Sequence, residues 1–455
     1  MARPFLLVAL LCASLTFITT CVALHLELTH VDAKEGCTVG ERLRRATERT
    51  RRRRLASSSM AGGVTAPVHW AGTSSPQYIA EYLIGEPPQR AEAIIDTGSN
   101  LIWTQCSTCH LSRVTSCFPQ NFPLYDPSLS STARAVACSD AACALGSETQ
   151  PCNNTSSSSS NNTPCVVLTS YGAGEIAGVL GTETFTFGSS NEVSPLAFGC
   201  IAATKLTPGS LNNASGLIGL GRGKLSLVSQ LGATNFSYCL TPYLSDATVN
   251  TSHLFVGSPA GPMGEAPVTS VPFVESPSDD PFNTFYFLPL TGISVGQVKL
   301  DVPTAAFDLR QVSPGMWAGT FIDSGSPFTS LVDVAYQALR SELARQLGAS
   351  VIVPLPNDAD VESELCVASG DASLVPPLVL HFGGGGDAVV PPENYWAPVD
   401  TDTACMVVYS SGGPNTTLPS NETTVIGNYM QQNTHLLYDL ANGVLSFQPA
   451  DCSSM

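Results

Sequence analysis

The sequence is poor in charge, and positive charge is scarce beyond its first sixty residues. Only 13% of the 455 residues are Asp, Glu, Lys or Arg, which argues against long solvent-exposed helices. The 38 glycines and 33 prolines supply the turns of many short strands instead, so a mainly β fold is expected. Ten of the 20 basic residues fall within residues 1–62, and the remainder of the chain carries 10 basic against 32 acidic residues. That balance excludes nucleic acid as an expected partner, because phosphates require a basic surface. It suits acidic surroundings in which carboxylates become neutral, although solubility alone explains it too. No apolar run after residue 23 is long enough to cross a bilayer, and the C-terminal LSFQPADCSSM lacks the apolar tail of a lipid-anchor signal. Stable membrane association is therefore not expected. Cys106-x-x-Cys109 lacks a second C-x-x-C or a close His pair to complete four zinc ligands. No metal and no cofactor are expected.

What is present points to the secretory pathway. Met-Ala-Arg-Pro precedes FLLVALLCASLTFITTCVA, which closes on Cys21-Val22-Ala23. This reads as a signal peptide over residues 1–23; dilution by Ser and Thr weighs against the alternative of an uncleaved anchor. Of 15 cysteines, Cys12 and Cys21 leave with the signal and Cys37 with an expected propeptide. The even remainder suggests six disulfides and an oxidising compartment, extracellular or vacuolar. Glycosylation candidates are Asn153, Asn154, Asn161, Asn213, Asn250, Asn415 and Asn421. Asn235, beside FSYCL, is expected to be buried and bare.

A chain of this length suffices for two lobes, each with a core. Residues 24–66 read as an Arg-rich propeptide, 67–258 as an N-terminal lobe and 259–455 as a C-terminal lobe. Within the propeptide, ERLRRATERTRRRR at 41–54 either lies on the acidic lobe and lets go on acidification, or is a solvated spacer. From Tyr78 the chain reads as strands: YIAEYLIG, AEAIIDTG, VVLTSYG, GVLGTETFTFG, LAFGC and FSYCL, then HLFVG, FYFLPLTGISVG, GTFIDSG, CMVVYS and HLLYDLANGVLSF. One helix is expected from Leu331 to Leu347, capped by Ser330 and stopped by Gly348. NNTSSSSSNNT at 153–163 reads as a surface loop, and Gly383 to Gly386 as a hairpin tip.

Two short motifs recur in the same order in both halves. Ile94-Ile95-Asp96-Thr97-Gly98-Ser99 is followed by Leu217-Ile218-Gly219, and Phe321-Ile322-Asp323-Ser324-Gly325-Ser326 by Val425-Ile426-Gly427. A buried strand carries each carboxylate to a tight turn. Gly98 and Gly325 permit close backbone approach, Ser99 and Ser326 orient the adjacent Asp, and Thr97 and Ser324 bind the opposite loop. Two carboxylates that meet cannot easily both ionise, so they share a proton. The neutral one donates toward a carbonyl while the charged one draws a proton from attacking water. A lone D-T-G would be an ordinary turn; the duplicated pair is specific.

At these residues the sequence resembles the pepsin family of aspartic proteases, and more closely its plant nepenthesin-like branch. The resemblance spans roughly residues 77 to 452. It includes Leu101-Ile102-Trp103-Thr104-Gln105-Cys106, GLIGLGRGKLSLVSQL from Gly216, FSYCL ending at Leu240, VIGNYMQQNTHLLYD from Val425, and twelve downstream cysteines. It implies a bilobal β fold with pseudo-twofold symmetry, a central cleft for an extended polypeptide, a flap hairpin, and acid-favoured, pepstatin-inhibited endopeptidase activity of a monomer. By resemblance Tyr171 and Gly172 belong to the flap and Trp103 supports it. The implied disulfides are Cys106–Cys109, Cys117–Cys200, Cys138–Cys165, Cys143–Cys152, Cys239–Cys452 and Cys366–Cys405. Ala173, Glu175, Glu86 and Ser326 depart from the usual pattern and bear on efficiency. A rival reading is a binding protein on the same fold, since some plant relatives inhibit xylanases. A glycosidase is not supported, because the duplicated loops carry no signature of carboxylates on opposite sides of a sugar ring.

Overall fold

Short apolar runs punctuated by Gly and polar turns become strands, as their spacing dictates. The protein is seen in a computed structural model that describes residues 24–30, 77–111, 117–152, 163–172, 174–188, 191–211, 213–242, 251–257, 266–356, 363, 365–413 and 416–454. Half of the strands among the described residues join one fifteen-stranded sheet. Its order runs from Thr269–Pro272 through Val444–Pro449, Thr434–Asp439, Asn235–Cys239, Ser252–Val256 and Leu24–His30 to Tyr78–Ile84 and Gln89–Asp96. It continues through Gly216–Gly219, Trp103–Gln105, Asn191–Leu206, Gly174–Phe187 and Val166–Tyr171. The end of the chain thereby lies against its first half, with Phe236 opposite Tyr438 and Tyr238 opposite Leu436. A second sheet holds Tyr286–Phe287, Thr320–Asp323, Thr424–Gly427, Ser330–Leu331 and Tyr409–Ser410.

The core follows the two halves. One cluster reaches across both, joining Tyr78, Ile95 and Tyr238 to Ile322, Leu339, Ile426 and Tyr438. A second packs around Trp103, Ile94 and Leu217, and a third around Phe328, Cys366 and Tyr429.

Leu24–His30, expected only as the head of the propeptide, is a strand inside the large sheet. Its alternation puts Leu24, Leu26, Leu28 and His30 inward and leaves His25 and Glu27 exposed. It pairs antiparallel with Ser252–Val256 on one side and Tyr78–Ile84 on the other. The outer face is tied as well: His25 Nε2 lies 2.9 Å from His253 Nδ1, and its ring stacks on Phe255.

The long helix spans Asp333–Leu347 and ends at Gly348, whose φ of 76° lies in the left-handed region. Ser330 does not cap it. Ser330 and Leu331 are a strand pairing with Tyr409 and Ser410, and Val332 stands at the helix start without a side-chain cap. The four-residue spacing of Leu331 from Ala335 thus continued one turn too far. Gly383 to Gly386 do link two antiparallel strands, Leu378–Phe382 and Asp387–Val390.

Four of the six implied disulfides are corrected. Cys106 pairs with Cys200, not Cys109, because Trp103–Gln105 runs parallel to Asn191–Leu206 with Thr104 opposite Cys200. Cys109 sits one 3-10 turn further on and pairs with Cys117, not Cys117 with Cys200. Both thiols of the C-x-x-C are thus consumed, which removes the zinc reading of that motif. Cys138 pairs with Cys152, not Cys165, and Cys143 with Cys165, not Cys152. The backbone sets this exchange: the Cys138 carbonyl accepts from the Cys152 N–H, whereas Cys138 lies level with Thr163 and Cys165 with Val136. Cys239–Cys452 and Cys366–Cys405 join the residues that the resemblance implies.

The signal peptide, the basic segment 41–54, the lobe boundary at 258, Ala173, and Asn153, Asn154, Asn161, Asn250 and Asn415 lie outside the described residues. Asn213 adopts a left-handed φ of 61°, Asn421 sits in the short 3-10 turn Ser420–Glu422, and Asn235 is half-buried.

One buried carboxylate far from the Asp loops is a test of the frame. Glu183, without solvent exposure, accepts from the hydroxyls of Tyr125 and Thr132 and from the Thr184 N–H. Burial pushes its pKa up, but hydrogen bonds from Thr132, Tyr125, the Thr184 N–H and Ser130 outweigh burial and hold it below the ordinary glutamate value. A lowered folded-state pKa gives stability that is present above the unfolded value and lost as pH falls through the folded one. Glu183→Gln is therefore expected to cost about 1–3 kcal/mol near neutral pH and progressively less below about pH 4, read by urea denaturation. An equal cost at both pH values would show that the charge is not what the site holds.

Candidate active site

Each Asp loop is placed by a pair of parallel strands. Gln89–Asp96 runs beside Gly216–Gly219 with Asp96 level with Gly219, and Thr320–Asp323 beside Thr424–Gly427 with Asp323 level with Gly427. The duplicated apolar-apolar-Gly motif has a steric cause. A β-carbon on Gly219 would lie 2.2 Å from the backbone carbonyl carbon of Asn100, and one on Gly427 2.5 Å from that of Phe328. The segment leaving each loop crosses directly over the neighbouring strand, so only glycine fits there.

The two loops meet. The Thr97 N–H donates to Ser324 Oγ at 3.1 Å, and the Ser324 N–H donates to Thr97 Oγ1 at 2.9 Å. Ser324 Oγ in turn donates to the Ile95 carbonyl at 3.2 Å. Gly98 packs against the opposite carboxylate: a β-carbon there would stand 2.9 Å from Asp323 Oδ1 and 3.0 Å from Oδ2. Asp96 and Asp323 are 2% and 3% exposed, and each is held in the same way. Asp96 Oδ1 accepts from the Gly98 N–H at 3.0 Å and Oδ2 from Ser99 Oγ at 2.7 Å. Asp323 Oδ1 accepts from the Gly325 N–H at 2.8 Å and Oδ2 from Ser326 Oγ at 2.6 Å. The Ser326 hydroxyl therefore makes the same bond as that of Ser99.

Such an arrangement can hold one proton between two carboxylates, offering an acid and a base to one bound molecule. Nearby, Val166–Tyr171 and Gly174–Phe187 form a hairpin in which Tyr171 is level with Gly174. The Tyr171 ring is tilted 43° to that of Trp103 with centroids 6.1 Å apart. Trp103 is fully buried, and its Nε1 has no hydrogen-bond partner among the described residues. Gly172 follows Tyr171 in the turn, and Glu175 is exposed.

Further polar residues surround the loops. Asn100 donates to Thr284 Oγ1 at 2.9 Å and to Glu148 Oε1 at 3.2 Å, and accepts from the Gly223 N–H at 2.8 Å, linking the first loop to the second half. Gln77, Asn428 and Gln431, all buried, direct amides at the backbone of the second loop. Asn428 and Gln431 stand in the amide-rich Asn428-Tyr429-Met430-Gln431-Gln432-Asn433, which follows Val425-Ile426-Gly427 directly.

With this geometry in view, comparison with known proteins is informative. The family models described as xylanase inhibitor N-terminal and xylanase inhibitor C-terminal match residues 78–258 and 285–449. The chain is 35% identical to aspartic proteinase nepenthesin-1 of Nepenthes gracilis over 433 residues, covering 94% of this chain and 90% of that one. It is 33% identical to nepenthesin-2 of the same plant over 440 residues, 95% of this chain and 90% of that one. Among solved structures, that of edgp superposes with a TM-score of 0.64 at 20% identity, covering 83% of this chain and 93% of that one.

The reciprocal bonds between the loops make a measurable coupling. Thr97→Val and Ser324→Ala are each expected to cost about 1 kcal/mol in chemical denaturation, with the double variant differing from the sum by about 0.5 kcal/mol or more. Strictly additive costs would show that the two reciprocal bonds act independently, and no cost in either single variant would show that the loops do not hold one another.

Proposed function

We propose the activity of a chain that belongs to the nepenthesin-like branch of the pepsin family of aspartic proteinases: it is a secreted endopeptidase that hydrolyses peptide bonds in acid with water activated by Asp96 and Asp323. The observation that carries this reading is the mutual grip of Thr97 and Ser324, which sets Gly98 against the Asp323 carboxylate. An extended polypeptide is the substrate, and no cofactor takes part.

In the reaction, the charged carboxylate takes a proton from water as its oxygen attacks the scissile carbonyl carbon. The neutral carboxylate gives its proton to the carbonyl oxygen, and a tetrahedral diol results. Collapse of the diol returns a proton to the leaving nitrogen, breaks the C–N bond and restores the shared proton. Each carboxylate accepts from a glycine N–H and a serine hydroxyl in the same way, so either can serve as base once the other is protonated. Tyr171, on its hairpin beside Trp103, is the residue that closes over substrate. The excess of carboxylates in the mature chain fits work in an acidic vacuole or extracellular space. The Arg-rich segment 41–54 is proposed to restrain the enzyme until acidification, as part of a propeptide over residues 24–66.

A second reading, a pepsin-fold binding protein, is favoured by one observation: both matching family models are described from xylanase inhibitors. Two intact Asp loops stand against it.

The purified precursor, acidified and assayed on casein or haemoglobin, is expected to cleave in a pepstatin-sensitive manner, and Asp96→Asn and Asp323→Asn to lose at least about a thousandfold in turnover. Equal cleavage by wild type and both variants would overturn the assignment. A folded but inactive wild type that inhibits a xylanase would establish the second reading.

A further inference from the structure

We propose, on the endopeptidase reading above, that Gln77, Asn428 and Gln431 are positioning residues that set the geometry of the second catalytic loop for the chemical step. Three successive carbonyls of that loop are each taken by a side-chain amide. Asp323 O accepts from Gln431 Nε2 at 3.3 Å, Ser324 O from Asn428 Nδ2 at 2.9 Å, and Gly325 O from Gln77 Nε2 at 3.2 Å.

A trans peptide is a rigid plane with its C=O and the following N–H at opposite ends. Fixing three oxygens therefore aims three N–H groups. The Ser324 N–H reaches Thr97 Oγ1 of the other loop at 2.9 Å, the Gly325 N–H reaches Asp323 Oδ1 at 2.8 Å, and the Ser326 N–H closes the turn on Asp323 O at 3.4 Å. Each amide thus stands behind a working donor. In a buried site such paired bonds polarise one another, and an unmade one is costly.

The donors are themselves braced. Gln431 Nε2 also donates to the Ile426 carbonyl at 2.8 Å, and Gln431 Oε1 accepts from the Tyr238 hydroxyl at 2.7 Å. That hydroxyl lies 2.8 Å from the hydroxyl of Tyr438. Tyr238 and Tyr438 come from the adjacent strands Asn235–Cys239 and Thr434–Asp439, so the large sheet itself backs the loop. Burial holds both phenols well above their usual range, and they remain neutral donors. Gln77 reaches the loop from the opposite half of the chain. The Asp96 carbonyl of the first loop, by contrast, is held by a backbone donor, the Leu220 N–H at 2.8 Å.

Buried amides that served stability alone would leave turnover per folded molecule untouched. Gln77→Met, Asn428→Leu and Gln431→Met keep the side-chain bulk and remove the donor. For a fluorogenic peptide, each is expected to lower kcat about tenfold, the worth of one loop donor left misaligned in the transition state, with KM within about twofold of wild type. Pepstatin affinity should fall in step with kcat/KM, as for a ligand that resembles the transition state. Lowered thermal stability with unchanged kcat in these variants would overturn the proposal. If Asn428→Leu does not fold, Gln77→Met decides, because only one hydrogen bond is removed there. An active wild type with unmoved variants defeats this proposal alone. A wild type that cleaves nothing defeats the endopeptidase reading and this assignment with it.

Discussion

Two backbone N–H groups, each given to the hydroxyl of the opposite loop, hold the structure at its critical point. The Thr97 and Ser324 bonds join two loops whose carboxylates would otherwise repel one another. Much of the surrounding fold can be read as what those bonds demand. Gly98 must lack a side chain because the Asp323 carboxylate occupies that space, and Gly219 and Gly427 must lack one because the chain leaving each loop crosses over them. The parallel strand beside each Asp strand keeps the loop from rotating away. Sequence, sterics and hydrogen bonding therefore agree on the same few residues, which is the consistency expected where a site dictates the fold around it.

Burial of carboxylates is costly unless donors satisfy them, and the molecule handles two cases differently. Glu183 is surrounded by donors and is kept charged; its bonds anchor Tyr125 and Thr132 rather than either Asp loop. Asp96 and Asp323 each receive two donors as well, and the Asp323 carboxylate also lies against Gly98 of the opposite loop. In the mechanism proposed above, the two carboxylates share a single proton.

The duplicated Asp loops were legible because each is a short, local pattern and because the second copy made the first improbable by chance. The strands around them were legible for the same reason: Tyr78–Ile84 and Thr434–Asp439 carry their own turn signals. The pairing of Cys106, Cys109, Cys117 and Cys200 was not, since it depends on Thr104 lying level with Cys200 across a parallel pair, a register no local pattern encodes. The same holds for Cys138, Cys143, Cys152 and Cys165, where one 3-10 turn and a two-residue offset decide between partners. Ser330 looked like a helix cap because strand and helix adjoin there without a break. The strand Leu24–His30 had a clear period-two alternation, but it lay between a signal peptide and a basic segment, and that context masked it. Gln77, Asn428 and Gln431 are ordinary polar letters until the loop carbonyls they meet are known.

That N-terminal strand matters for the site through the sheet it joins. Leu24–His30 pairs with Ser252–Val256, which pairs with Asn235–Cys239, the strand that carries Tyr238. On its other side it pairs with Tyr78–Ile84, directly after Gln77. The Tyr78 hydroxyl donates to the Thr241 carbonyl and accepts from Gln432 Nε2, beside Gln431. Gln77 thus precedes one of the strands that flank this one, and Tyr238 of the Tyr238–Gln431 pair lies one strand beyond the other. Burying the three leucines is worth about 1.5–3 kcal/mol each, so the strand is firmly seated. Its presence fixes the spacing of its neighbours, and through them the residues behind Asp323. Covalent distance along the chain therefore says little here: residues 24–30 are tied through neighbouring strands to the residues behind Asp323.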